Sequence, residues 1–132
     1  MGAVGATSNP SIVGEVLKKE HDVWRPRIHE IARERPAAHE FDITWQVVEE
    51  MTVRGAAVLE PVYRREAGRK GRLSIQTNPT LFRDPDRMLE QGRHFEGLAP
   101  NIQINVPTTA AGLAAIEEAT STSCRAIHSA AT

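Results

Sequence analysis

Three asparagines with a proline close behind recur along the sequence, in Asn9-Pro10, Asn78-Pro79 and Asn105-Val106-Pro107. Each lies at the end of a segment with the residue pattern of a β-strand. An asparagine side chain donates and accepts hydrogen bonds, and parallel α/β folds bind their ligands at the carboxyl ends of the strands. The alternative is that Asn-Pro merely terminates a strand. The recurrence leaves a ligand site and simple strand termination both open.

Two other groups of residues are weaker candidates for chemistry. His29-Glu30 and His39-Glu40 each pair two potential metal ligands, but a zinc HExxH site needs a second histidine where Arg33 and Ile43 stand. We therefore expect surface residues there and no metal site. The cluster Arg69-Lys70-Gly71-Arg72 has the charge to contact phosphate, although a solvated basic turn is the default interpretation.

The strands that position the asparagines are indicated by alternation and by breaks. Residues Ala3 to Asn9 are small and extended in character, which predicts a short buried strand. Alternating apolar and polar residues predict strands in the segments Gly71–Pro79 and Asn101–Pro107. The last strand is expected to have two faces, with Ile102, Ile104 and Val106 on one and Gln103 and Asn105 on the other.

Apolar residues at helical spacing predict helices between these strands. The first is expected from Ser11, and the others at the caps Asp22, Asp42, Asp84 and Thr109. Pro61 is expected to kink or end the third helix. From Ser121 to Thr132 the pattern is lost, which predicts a frayed tail. Three strands separated by helices imply parallel pairing and an α/β architecture.

Composition limits the class of protein. The 132 residues are 40% hydrophobic and 25% charged, as in one soluble globular domain. With 16 Lys+Arg against 17 Asp+Glu, the formal charge of -1 gives no electrostatic reason to expect nucleic acid or an anionic membrane as a partner. A single cysteine, Cys124, excludes an intrachain disulfide and favours the cytoplasm. No apolar window reaches the length of a membrane helix, and the N-terminus lacks the features of a signal peptide.

Three segments resemble one known family. GAVGATSNPSIV resembles the second-strand segment of the transaldolases, GRLSIQTNPTLFRDP their third-strand segment, and NIQINVPTTAAGLAAIEEAT their fourth-strand segment. The resemblance runs from about Gly2 to Thr120. It implies a partial (β/α)8 barrel with about three parallel strands over residues 1–120, followed by an irregular tail over residues 121–132.

The resemblance also implies an activity. Transaldolases move a dihydroxyacetone unit between sugar phosphates in the pentose phosphate pathway, through a Schiff base on a lysine and without a cofactor. The position of that lysine falls on Asn105, that of the proton-transferring glutamate on Gln76, and that of a nearby acidic residue on Asn78. Because an amide nitrogen does not condense with a ketone, the isolated chain is expected to be catalytically inactive.

Residues that could hydrogen-bond a substrate match the family better than the residues that would react with it. Thr7, Asn9, Asn78 and Thr109 stand at positions that the family uses around its sugar phosphate, although helix capping is the favoured role for Thr109. The lysines are not expected to substitute for the missing one. Lys70 precedes its strand, and Lys18 and Lys19 end a helix that runs away from the rim.

Three parallel strands do not close a barrel, so exposed strand edges are expected to favour self-association or a partner chain. Two alternatives to a transaldolase-like protein remain open. One is a non-catalytic α/β fragment that binds a ligand or a protein. The other is a truncated gene product whose sequence after Thr120 is not native to the barrel.

Overall fold

The computed structural model describes residues 3–122 together with the backbone of residues 126–128. The strands are β1 Gly5–Ser8, β2 Arg72–Gln76, β3 Ile102–Val106 and β4 Ala126–His128. The α-helices are α1 Pro10–Lys19, α2 His21–Glu34, α3 Glu40–Arg65, α4 Pro85–Glu96 and α5 Ala110–Ser121, and a 3₁₀ helix spans Pro79–Leu81.

The strands form one sheet in the order β1-β2-β3-β4, and each neighbouring pair is parallel. Helices connect the successive strands, because parallel neighbours need a long crossover. The predicted parallel α/β architecture is therefore confirmed. Parallel strands also place all their carboxyl ends at one edge of the sheet, where the candidate residues follow.

The fourth strand was not among the predictions. The segment from Ser121 was expected to be irregular, but α5 includes Ser121, and the backbone of Ala126–His128 pairs with β3, with Asn105 opposite Ile127. This correction applies to the described residues alone, and Cys124 lies outside them. The physical reason is length, because three residues are too short to show a period of two and take their conformation from the neighbouring strand.

The first strand is more exposed than predicted. Within β1, Gly5, Ala6 and Thr7 are exposed and Ser8 is half-buried, so the expectation of a buried strand is wrong. The prediction relied on small residues in extended conformation. In the described part of the chain β1 has one neighbour, β2, and no residues that cover its free side.

The core lies between the sheet and the helices. Ile102, Ile104 and Val106 point into it, whereas Gln103 and Asn105 alternate with them and are half-buried on the opposite, open face. The two faces predicted for β3 are thus confirmed. The main cluster is lined by Val13, Val48, Ala56, Leu59, Leu73, Ile75, Met88 and Phe95 with residues of β3 and α5. A smaller cluster of Trp24, Ile31 and Val47 joins α2 to α3.

Two helix starts lie more than one residue before the predicted position. Helix α2 begins at His21 rather than after Asp22. Helix α3 begins at Glu40, and Asp42 accepts a hydrogen bond from the His39 backbone N–H at 3.1 Å instead of occupying the cap position itself. An acidic residue three positions inside a helix can satisfy the cap backbone, so its presence marks a start without fixing the first residue.

Pro61 does not end α3, which continues to Arg65. Proline removes one backbone donor, but the packing of the helix end against the sheet holds the last turn in place. Gly71, with φ +76°, lies against this turn so closely that a Cβ there would be 2.3 Å from the backbone nitrogen of Tyr63. Asn101 closes the same junction, because its Nδ2 donates to the carbonyls of Ala56 at 2.8 Å and Gly71 at 2.9 Å.

Candidate functional site

The sheet places Gln76 and Asn105 side by side on the open face. They are register partners, at the last residue of β2 and the last but one of β3. The ladder continues one residue further, where the Thr77 backbone N–H donates to the Asn105 carbonyl at 3.0 Å. Neighbouring strands are about 4.8 Å apart, so the two side chains are adjacent. We call Gln76 and Asn105 the amide pair.

One atom of the amide pair is unusual. The side-chain oxygen Oδ1 of Asn105 is buried and has no hydrogen-bond partner among the described residues. A buried acceptor without a donor costs about 1–3 kcal/mol, so folded proteins rarely leave one without a reason. The residue that carries this atom lies on the polar face of the sheet and is half-buried.

The other two asparagines that are followed by proline cap helices. Asn9 accepts a hydrogen bond from the Ile12 backbone N–H at 2.9 Å at the start of α1. The oxygen Oδ1 of Asn78 accepts from the backbone N–H and the hydroxyl of Thr80, each at 2.9 Å. At these two positions the side-chain oxygen is used within the protein, which is the role that a strand-terminating Asn-Pro predicts.

Asn78 also lies away from the amide pair. It lines a groove of about 310 Å³ between α3 and α4, together with Trp45, Gln91 and His94. Its backbone N–H donates to the side chain of Gln91 at 2.7 Å, a contact that fixes the loop after β2. Gln91 was not among the predicted site residues, because nothing in its spacing along α4 marks a contact with a loop 13 residues earlier.

The predicted capping role of Thr109 is supported by its contacts. Its hydroxyl oxygen accepts from the Gly112 backbone N–H at 3.0 Å at the start of α5, and the hydroxyl donates to the Phe82 carbonyl at 3.2 Å. The first contact caps α5, and the second ties the loop after β3 to the loop after β2. The Gly112 backbone passes so close to the loop that a Cβ there would be 1.9 Å from the Pro107 carbonyl oxygen.

Thr7 lies lower on the open face. It is the register partner of Ser74, which in turn pairs with Gln103, so the three share one row two residues below the amide pair. Thr7 is exposed, whereas Ser74 is buried. The structure therefore brings Thr7 to the same face as Gln76 and Asn105 but not into contact with them.

The lysines lie away from the amide pair. Lys18 and Lys19 form the end of α1, and Lys70 precedes β2 and lies 3.9 Å from the Glu66 carboxylate. The strand between Lys70 and Gln76 spans about 13 Å, because each strand residue advances about 3.3 Å. No lysine of this chain therefore occupies the carboxyl edge of the described strands.

Charged interactions concentrate on the helices instead. The Arg27 guanidinium of α2 donates to both carboxylate oxygens of Glu50 on α3, at 2.9 and 2.7 Å. These hydrogen bonds raise the pKa of Arg27 and lower the pKa of Glu50, against the opposing effect of partial burial. The amide pair itself has no titratable side chain and thus no group to exchange protons near neutral pH.

The described residues contain neither a cluster of metal ligands nor a membrane-spanning helix. Neither His29 nor His39 joins a group of three or more ligands that would hold a metal ion in that part of the chain. None of the helices described has both the length and the apolar character needed to cross a bilayer.

Comparison with known proteins agrees with the geometry. The family described as "Transaldolase/Fructose-6-phosphate aldolase" matches residues 1–128. The chain is 34% identical over 125 residues to the transaldolase of Thermobifida fusca, an overlap of 88% of this chain and 31% of that protein. It is 37% identical over 116 residues to the transaldolase of Mycobacterium ulcerans, covering 86% of this chain and 30% of that protein.

A third relative, the transaldolase of Mycobacterium tuberculosis, is 34% identical over 116 residues, again 86% of this chain and 30% of the relative. The chain thus spans about 30% of the length of the curated relatives it matches. Its parallel strands and alternating helices are those of part of a (β/α)8 barrel. The chain belongs to the transaldolase/fructose-6-phosphate aldolase family.

Proposed function

We propose that the protein descends from enzymes that transfer a dihydroxyacetone unit between sugar phosphates, and that this chain does not perform the transfer. The observation that carries the proposal is the amide pair, in which Gln76 and Asn105 are register partners. We assign Asn105 to the family's lysine position and Gln76 to its glutamate position. The reaction belongs to carbohydrate metabolism, in the pentose phosphate pathway, and needs no cofactor.

The chemical reason is the lone pair of the carboxamide nitrogen. In a lysine amine this pair is free to attack a ketone carbonyl, and the resulting iminium withdraws electrons during carbon–carbon cleavage. In Asn105 the pair is delocalised into the carbonyl, so the C–N bond to the sugar does not form. Gln76 positions water by hydrogen bonding but does not take a proton near neutral pH.

The groups that remain suit non-covalent binding. The Asn105 Oδ1 atom is buried and without a donor, and a sugar hydroxyl donating to it would satisfy that acceptor. Gln76, its register partner, presents both a donor and an acceptor beside it. A sugar phosphate is the proposed ligand, and nucleic acid and membranes are not, because the chain is near neutral with a formal charge of -1.

Two further properties belong to this proposal. The cytoplasm is the proposed compartment, supported by the single cysteine of the sequence. Self-association is proposed through the edges of the sheet, which are β1 and β4 in the described residues. Unpaired strand edges carry backbone donors and acceptors that pair readily with another chain.

The test uses the protein with fructose 6-phosphate and borohydride, which reduces any imine to a stable amine. We expect no gain of mass by mass spectrometry, together with reversible binding of the sugar phosphate in ligand-observed NMR. Asn105→Ala should weaken that binding, whereas Ser11→Ala, at the exposed start of α1, should not. A covalent adduct on the unmodified protein would overturn the proposal, as would binding that is insensitive to Asn105→Ala.

A further inference from the structure

A polar pocket lies at the opposite end of the strands from the amide pair. Its volume is about 510 Å³, and it is lined by residues of β1, of the turn before β2, and of the first part of β2 and β3. The lining side chains with polar groups are Thr7, Arg69, Lys70, Arg72 and Gln103. We call this the basic pocket.

The positive charge of the basic pocket is poorly neutralised. Glu66 is the acidic neighbour of the cluster, and its carboxylate pairs with Arg65 at 3.3 Å and Lys70 at 3.9 Å without lining the pocket. The ion pairs found in the described part of the chain include none with Arg69 or Arg72. Three cations therefore surround one pocket with a single carboxylate nearby.

The cations are held in place by the fold. The Arg69 Nε donates to the Glu66 backbone carbonyl at 3.3 Å, and the Arg72 Nε donates to the Gly68 carbonyl at 2.9 Å. The Arg72 guanidinium also lies over the Tyr63 ring, 5.4 Å from its centre. Each guanidinium uses its Nε for these bonds, so its terminal Nη groups keep the donors that bind a phosphate oxygen.

The turn that carries these residues is itself fixed. Gly71 donates its N–H to the Val4 carbonyl at 2.7 Å, which joins the turn to the residue before β1. The same glycine accepts from the Asn101 side chain at 2.9 Å. A rigid turn reduces the entropy lost on binding, so a small anion can be held by few contacts.

We propose that the basic pocket binds a phosphate group, with Arg69, Lys70 and Arg72 as its cationic ligands. Arginine matches the geometry of phosphate oxygens with paired N–H donors, and lysine adds a point charge. The Thr7 hydroxyl and the Gln103 amide supply neutral donors at the inner wall. This site is separate from the amide pair and does not depend on the proposed function.

The experiment titrates inorganic phosphate into the protein at low ionic strength and follows backbone amides by NMR. Shifts are expected at Gly5, Thr7, Gly71 and Gln103, and not at Gln76 or Asn105. The double variant Arg69→Gln/Lys70→Gln should weaken binding at least about tenfold, because it removes two of the three cationic ligands. Added salt should weaken it further.

The matched control is Arg25→Gln/Arg33→Gln, which removes the same charge from the exposed surface of α2. It should change the affinity less than about twofold if binding is local rather than due to net charge. Equal weakening in both double variants would overturn the proposal, as would shifts at the amide pair alone or no shifts at all. Repeating the titration with glycerol 3-phosphate separates free phosphate from a phosphate monoester as the preferred source.

Discussion

An asparagine lies near each end of β3, but the two side chains differ in their hydrogen bonding. Asn101, before the strand, is 1% exposed, and its amide donates to two carbonyls of neighbouring elements. Asn105, near the carboxyl end, keeps a buried oxygen without a donor. A buried amide nitrogen that donates to two carbonyls stabilises the fold, whereas a buried amide oxygen without a donor costs stability. The comparison separates a structural end of β3, at Asn101, from what we call its open end, where the Asn105 oxygen has no donor among the described residues.

The loop that carries the open end depends on one close backbone contact, and breaking it gives the largest expected effect. Gly112→Ala would place a Cβ 1.9 Å from the Pro107 carbonyl oxygen, so the loop or α5 must move. We expect a loss of about 3 kcal/mol or more in unfolding free energy, measured by urea denaturation.

The matched control for this substitution is Gly14→Ala in α1, where nothing lies within 4 Å of an added Cβ. It should stabilise the protein by about 0.5–1 kcal/mol through helix propensity. Equal effects of the two substitutions would contradict the close contact at the carboxyl end.

Asn101→Ala tests the structural end directly. It removes the donor to the Ala56 and Gly71 carbonyls in a fully buried position. We expect the unfolding free energy to fall by about 2–4 kcal/mol, because both carbonyls lose their partner and a small cavity forms. A loss below about 1 kcal/mol in urea denaturation would mean that water replaces the side chain.

Asn105→Ala is the counterpart at the open end. The substitution removes an acceptor that already lacks a donor, so little stability is lost with it. We expect a change within about 1 kcal/mol in the same urea experiment, well below that of Asn101→Ala. If Asn101→Ala and Asn105→Ala lowered the unfolding free energy by the same amount, the contrast between the ends of β3 would not hold.

The smallest expected effect concerns the ion pair of the helical layer, far from both ends of β3. Arg27 lowers the pKa of Glu50 below its ordinary value of 4.5, so the pair stabilises the fold above that pH and loses its effect as pH falls through the lowered value. Glu50→Gln should cost about 0.5–1 kcal/mol at pH 7, a modest value because both groups are partly exposed. Urea denaturation should show a smaller difference in unfolding free energy between the unchanged protein and the Glu50→Gln variant at pH 3 than at pH 7.

Much of the fold was predictable because it depends on local patterns. The alternation in β3 identified its two faces, and Asp84 and Thr109 were predicted as caps and are the N-caps of α4 and α5. Strand β4 was not predictable, since three residues carry no period and take their place from β3. The extent of α3 past Pro61 likewise depends on packing that no local pattern contains.

The residue types at the site were predictable from the sequence, but whether each side chain has a hydrogen-bond partner was not. The recurrence of asparagine near proline indicated the carboxyl edge, and the register of the sheet brings Gln76 beside Asn105. The sequence did not distinguish Asn9 and Asn78, whose oxygens cap helices, from Asn105, whose oxygen has no partner. That difference arises from backbone N–H groups within reach of each side chain, which requires the three-dimensional structure.

The most direct test of the role proposed for position 105 introduces an amine there. Asn105→Lys and the control Gln103→Lys add one lysine each to the same face of β3, both at half-buried positions. Each protein is treated with fructose 6-phosphate and borohydride, and modified residues are located by peptide mass spectrometry.

We predict no modified residue in the unchanged protein, an adduct on Lys at position 105 of the first variant, and at least about tenfold less at position 103, where the register partner is Ser74 rather than Gln76. An adduct on Lys18, Lys19 or Lys70 of the unchanged protein, or none on the Asn105→Lys variant, would contradict the assignment of residue 105.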